Sequence, residues 1–158
     1  MSAGEPRLFP VAQEQLTSDD YYTPAWVFER MGIEFDLDVC APPGGIPWIP
    51  AKRYFTQADD GLVQPWEGRV WMNPPFSTPR NWVERFIEHG HGVSLCQISV
   101  GRWLDPLWSE VDGFTILRPP IEFVNGKGLS IPWPIGLTAF GEECVEAISR
   151  LGVVRRKA

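Results

Sequence analysis

No stretch of this chain approaches the roughly eighteen consecutive apolar residues that a membrane-spanning helix requires, and no basic-plus-apolar leader opens it. A soluble, cytoplasmic protein with no membrane partner is the expectation. Cysteine is scarce: Cys40, Cys96 and Cys144 form no CxxC pair and stand at no metal-ligand spacing from His89 or His91. That argues against a disulfide framework and against zinc, so no metal is expected. Spaced glycines of the GxGxxG kind are missing, as are internal repeats, heptads and low-complexity tracts. Positive charge is also in short supply, with 14 Lys and Arg against 20 Asp and Glu and a net charge of −6. Such a balance weighs against nucleic acid as a partner, because phosphate binding relies on Lys and Arg.

What the chain has is apolar mass and loop-forming residues. Its 158 residues, 44% hydrophobic and 13% aromatic, suffice for one packed core. Sixteen prolines cluster between periodic segments, at 41–50, 72–79 and 118–134, which predicts ordered loops where chemistry can sit. Acidic residues crowd the first 38 positions, whereas Lys52, Arg53, Arg80, Arg85, Arg102, Arg118 and Lys127 can gather into a local basic face or remain ordinary surface charge. The expected organisation is a flexible arm over 1–18, a single domain over 19–154 and a basic tail over 155–158, where Arg155-Arg156-Lys157 is either a phosphate contact or a frayed end.

Thr23-Pro24 reads as a helix cap followed by a first-turn proline, with Val27, Phe28 and Met31 on one side and Gly32 as the stop. Ile33, Phe35, Leu37 and Val39 then alternate with polar residues at strand period. Because Glu34 and Asp36 suit a doubly covered parallel strand poorly, the strand is expected to start near Leu37. A second strand, 69–73, runs into Pro74-Pro75, which cannot continue a ladder. Thr78-Pro79 repeats the cap device before a helix marked by Trp82, Val83, Phe86 and Ile87 and closed by His89-Gly90. His89 and His91 fit a capping or surface role better than catalysis. Strand 93–99, helix 103–111, strand 114–117, a hairpin centred on Asn125-Gly126, strand 136–141 and helix 142–151 complete an α/β alternation. The sheet is expected to become mixed at its end.

The sharpest chemical signal is Asn73-Pro74-Pro75-Phe76 at the C-terminal edge of a strand, where open α/β sheets bind ligands. A plain proline turn would also have this form. Its chemical reading concerns an aromatic exocyclic amine, a weak nucleophile because its lone pair is delocalised into the ring. The Asn73 side-chain oxygen and the Pro74 carbonyl can each accept one N–H, drawing the nitrogen toward tetrahedral geometry and stabilising the charge that develops on methylation. Pro75 stiffens the loop, and Phe76 can stack on a flipped base. A donor site is best sought at Asp38-Val39-Cys40-Ala41 and the Pro42-Pro43-Gly44-Gly45 that follows, where small residues allow close approach.

Taken in order, Asp20-x-Tyr22-Thr23-Pro24, Leu37-Asp38-Val39-Cys40-Ala41, Asp60-Gly61-Leu62 with Trp66, and Asn73-Pro74-Pro75-Phe76 resemble the phage-type, Dam-like DNA N6-adenine methyltransferases. The likeness is strong over residues 19–90 and weaker over 118–141. It implies an abbreviated Rossmann-like fold that transfers a methyl group from S-adenosylmethionine to N6 of a flipped adenine in DNA, in a bacterial host's cytoplasm if phage-encoded. It also implies that Tyr22, Thr23 and Pro24 contact the donor's methionine part, that Asp38, Cys40 and Ala41 lie beside it, and that Asp59 or Asp60 holds the adenosine.

Two features depart from the family's usual pattern. No acidic residue lies between Asp38 and Asp59 to bind the ribose, and only 35 positions separate Asp38 from Asn73, too few for two full βα units. The central sheet should therefore be shortened. With no large recognition insert, sequence reading would fall to 42–53, to the 125–127 turn or to a second subunit. Methylation of a protein glutamine or similar planar amide, and a degenerate module that binds DNA without catalysis, are the alternatives.

Overall fold

The computed structural model describes residues 22–99, 101–119, 121 and 134–158. The expected arm and the hairpin around Asn125-Gly126 lie outside these residues. The elements run α1 (Ala25–Met31), β1 (Phe35–Asp38), β2 (Ala51–Tyr54), β3 (Val70–Met72), α2 (Arg80–His89), β4 (Gly92–Gln97), α3 (Asp105–Glu110), β5 (Gly113–Ile116), β6 (Ile135–Phe140), α4 (Glu142–Ser149) and β7 (Val154–Arg156). A 3-10 turn, Arg102–Leu104, leads into α3.

All seven strands join one sheet in the order β2-β1-β3-β4-β6-β5-β7. The first four strands in that order are mutually parallel, while β6 runs antiparallel to both β4 and β5, and β7 runs antiparallel to β5. The expected α/β class and mixed sheet are therefore present. Strand alternation then sorts the side chains into two helical layers. On one face α1 and α4 bury Phe28, Met31, Val145 and Ile148 against Trp71, Val93 and Leu137. On the other, α2 and α3 bury Val83, Phe86 and Leu107 against Val70, Met72 and Cys96. Trp71 is completely enclosed, its ring 4.7 Å from that of Phe28 and 5.7 Å from that of Phe35.

No helix lies between β1 and β3; the chain loops from β1 to β2 and back to β3 on the opposite side of β1. The connections are instead tied down by hydrogen bonds beyond the strand ends, Phe55 N–H to the Asp38 carbonyl and Ala41 N–H to the Phe55 carbonyl, both 2.8 Å.

Several local expectations are corrected. Pro24 and Pro79, not Thr23 and Thr78, occupy the N-cap positions of α1 and α2, and neither helix has a side-chain cap. Tertiary and turn contacts have claimed the threonines: the Thr23 carbonyl accepts the Trp48 indole N–H at 2.8 Å, and the Thr78 N–H closes a turn onto the Pro75 carbonyl at 3.3 Å. Strand β1 starts at Phe35 rather than near Leu37. Asp36 is tolerated there because β2 is an exposed edge: its carboxylate accepts the Arg69 backbone N–H at 2.8 Å and pairs with Lys52 at 3.3 Å. These contacts, the Arg69 bond foremost, hold its pKa below the ordinary carboxylate value. The 155–158 run also begins inside the sheet, since Arg155 and Arg156 pair with Phe114 and Gly113 in the β5–β7 ladder.

Candidate active site

From β1 the chain passes to β2 on one side and then to β3 on the other, and the C-terminal ends of β1 and β3 lie side by side. Asp38, the last residue of β1, is in register with Trp71, two residues before Asn73. Pro74 ends the β3 ladder for lack of an N–H. Asn73 is half-buried and Pro74 buried at this exit, while Phe76 is half-buried and packs against the layer that holds α1. The Pro75 carbonyl is committed to the Thr78 turn.

Residues from the first motif arrive at the same place. Tyr22, Thr23 and Pro24 are buried, and Thr23 Oγ1 accepts the Asn73 side-chain N–H at 3.4 Å. Thr23 is itself held from behind by Trp48. A residue 50 positions upstream of Asn73 thus touches its carboxamide.

Asp38 is 3% exposed, and its Oδ1 accepts the Cys40 backbone N–H at 3.2 Å. Burial pushes its carboxyl up to about 7, with the Cys40 bond opposing the shift. Cys40 is half-buried, and Ala41 is buried and tied to Phe55.

The third motif is folded against β1. A Cβ at Gly61 would overlap the Val39 carbonyl, so only glycine allows this approach. The Gly61 carbonyl in turn accepts the Trp66 indole N–H at 2.7 Å, and Trp66 stacks on Trp82 of α2. Asp59 and Asp60 are exposed beside this contact. Asp59 Oδ2 closes its own turn, accepting the Thr56 N–H at 2.8 Å and the Thr56 hydroxyl at 3.0 Å. Asp60 adopts a left-handed backbone, with φ of 54°.

The first motif thus touches the fourth through Thr23 and Asn73, the third touches the second through Gly61 and Val39, and the second and fourth stand at the C-terminal ends of the paired strands β1 and β3. The matching family model is that of DNA N-6-adenine-methyltransferase (Dam), over residues 12–126. The chain belongs to that family. It is also 39% identical over 74 residues to a DNA N-6-adenine-methyltransferase of Haemophilus phage HP1 (strain HP1c1). That alignment spans 44% of this chain and 41% of the phage protein, less than half of either.

Sequence reasoning missed Trp48 and β2. Trp48 lies in a proline-rich loop with no periodicity to single it out, and Ala51-Lys52-Arg53-Tyr54 shows no apolar alternation. The two histidines stand elsewhere: His89 contacts the Gly68 carbonyl and His91 the Glu143 carboxylate, each at 2.7 Å. His91, Glu143 and Cys144 bring potential metal-ligand atoms within 4.8 Å of one another, but the Arg69 guanidinium stands 3.4 Å from the same carboxylate. That group lies at the N-terminal end of β4, away from Asn73. Among the described residues no helix is long and apolar enough to cross a membrane.

Proposed function

We propose that this chain transfers a methyl group from S-adenosylmethionine to N6 of adenine in DNA, with Asn73-Pro74-Pro75-Phe76 as the amine-binding loop. The observation that carries the reading is the place of Asn73: it leaves the sheet at the C-terminal end of β3, beside the buried Asp38 at the end of β1. On this reading the sheet is an abbreviated Rossmann-like methyltransferase sheet, supported by its parallel half, its reversal at β1 and the antiparallel β6.

Asn73 Oδ1 and the Pro74 carbonyl each accept one N–H of the target amine. The nitrogen lone pair is thereby turned toward the methyl group, and the positive charge that builds on nitrogen meets two oxygen dipoles already in place. The donor supplies an electrophilic methyl on a sulfonium; the N–C bond forms as the S–C bond breaks, the thioether departs, and the amine proton passes to solvent. Neither a covalent enzyme intermediate nor a metal is required. Phe76 stacks on the flipped base.

Asp38 fits a cationic donor, because a carboxyl shut away from water gains most from a positive partner. Tyr22, Thr23, Pro24, Cys40 and Ala41 form the walls around it. Asp59, whose Oδ2 alone serves its own turn, or the neighbouring Asp60 takes the adenosine of the donor. The exposed Lys52, Arg53 and Tyr54 of β2 offer a DNA-facing edge despite the net charge of −6.

The test is incubation with tritium-labelled donor and unmethylated DNA. Label in N6-methyladenine is the expected result. Correctly folded protein that labels no adenine contradicts the proposal, and a protein substrate in the same assay separates adenine from planar side-chain amides.

A further inference from the structure

We propose that Thr23 is a positioning residue for the methyl-accepting amine, acting through its hydrogen bond to the Asn73 carboxamide. This rests on the reading of Asn73 as the amine acceptor. It gives Thr23 a task beyond contact with the donor.

A primary amide has two ends of nearly equal shape and opposite polarity. Turned one way, Asn73 offers Oδ1 to the amine; turned the other, it sets its own N–H groups against those of the amine. Something must define which end faces the base. In the structure Thr23 Oγ1 accepts the Asn73 Nδ2–H at 3.4 Å, the arrangement that holds Oδ1 on the opposite side of the carboxamide.

Thr23 is suited to the task on three counts. It is fully buried, at 0% exposure, so water does not compete for its hydroxyl. It is β-branched, which restricts χ1 and fixes where the oxygen points. Its backbone is anchored too, through the Trp48 indole bond at 2.8 Å and through Pro24, whose carbonyl begins α1 by accepting the Val27 N–H. The 3.4 Å separation leaves room to tighten as the amine draws Oδ1 forward, as catalytic hydrogen bonds commonly do once substrate is bound.

The experiment compares the wild-type chain with Thr23→Val, Thr23→Ala and Thr23→Ser. Three quantities are measured: kcat at saturating donor, donor Kd by calorimetry, and the side-chain amide resonances of Asn73 by 1H–15N NMR. Thr23→Val keeps the shape and removes the hydroxyl. At saturating donor it should lower kcat on the order of 10- to 100-fold, the scale of a misplaced catalytic group, and shift the Asn73 resonances, whether or not donor Kd changes through the wall that Thr23 also forms. Thr23→Ala, which also lacks the hydroxyl, should follow it in kcat, and Thr23→Ser should restore wild-type behaviour. A Thr23→Val enzyme with unchanged kcat and weakened donor binding overturns the proposal in favour of a donor contact alone. Unchanged Asn73 resonances overturn it as well. A wild-type protein that methylates no adenine counts against the proposed function, while the NMR comparison still decides the Thr23–Asn73 link.

Discussion

The Asp38 carboxylate accepts the Cys40 backbone N–H at 3.2 Å, two residues along the chain, at a strand end that excludes water. One such bond offsets only part of the cost of burying a charge. The carboxyl is consequently pushed up to about 7 from an ordinary value of 3.8. Its behaviour is the clearest electrostatic signature of the site.

A pH dependence of stability follows. Because the folded pKa lies above the unfolded one, the folded protein holds a proton that the unfolded chain releases. The contribution of Asp38 is fully present below about pH 4 and is lost as pH rises toward about 7. Urea unfolding of wild type and Asp38→Asn across pH 5 to 8 checks this. The stability of wild type relative to the variant should fall with rising pH; parallel curves would contradict it.

Donor binding should respond in the opposite sense. A cationic donor beside Asp38 favours the ionised carboxylate, so affinity should rise as pH climbs through about 7 and binding should release a proton below it. Calorimetry in buffers of different ionisation enthalpy measures that release directly. In Asp38→Asn both effects should vanish.

Gly61→Ala should be costly for its size. The added methyl would overlap a backbone carbonyl, that of Val39, which cannot swing away as a flexible side chain would. A loss of about 1–3 kcal/mol is expected from such overpacking, together with weaker donor binding, since Asp60 is displaced with its neighbour. Chemical denaturation and donor titration read the two effects.

Trp48→Phe keeps an aromatic ring, smaller than the indole, and removes the N–H that Thr23's carbonyl accepts. Leaving that buried acceptor unmatched should cost about 1–3 kcal/mol. It should also reduce kcat by less than Thr23→Val does, because the Thr23 hydroxyl itself is retained. Equal losses from the two variants would show that Trp48 acts on catalysis by another route.

Much of this architecture was legible in the residues themselves. The exit of the chain at Asn73 follows from two prolines after an apolar strand, and the left-handed stops at Gly32 and Gly90 end α1 and α2 as expected, with φ of 64° and 72°. Elements held by distant partners were harder to see. Strand β2 exists because Ala51, Arg53 and Tyr54 find register on β1, and β7 because Arg155 and Arg156 find register on β5. Neither carries an apolar alternation of its own. The threonine caps failed for a related reason: Thr23 has the right residue type, but partners 25 and 50 positions away, Trp48 and Asn73, claim it first. At the site, the four motifs could be named from their letters, whereas the burial of Asp38 and its raised pKa depend on packing by segments far along the chain.

Whether the Asn73 carboxamide activates an adenine amine is read from Asn73→Ala in the tritium-transfer assay with DNA, beside donor affinity. Wild type should label N6 of adenine, and the variant should transfer at least about 100-fold less with donor binding unchanged. Full transfer by Asn73→Ala, or label on DNA at any position other than adenine N6, would contradict that role.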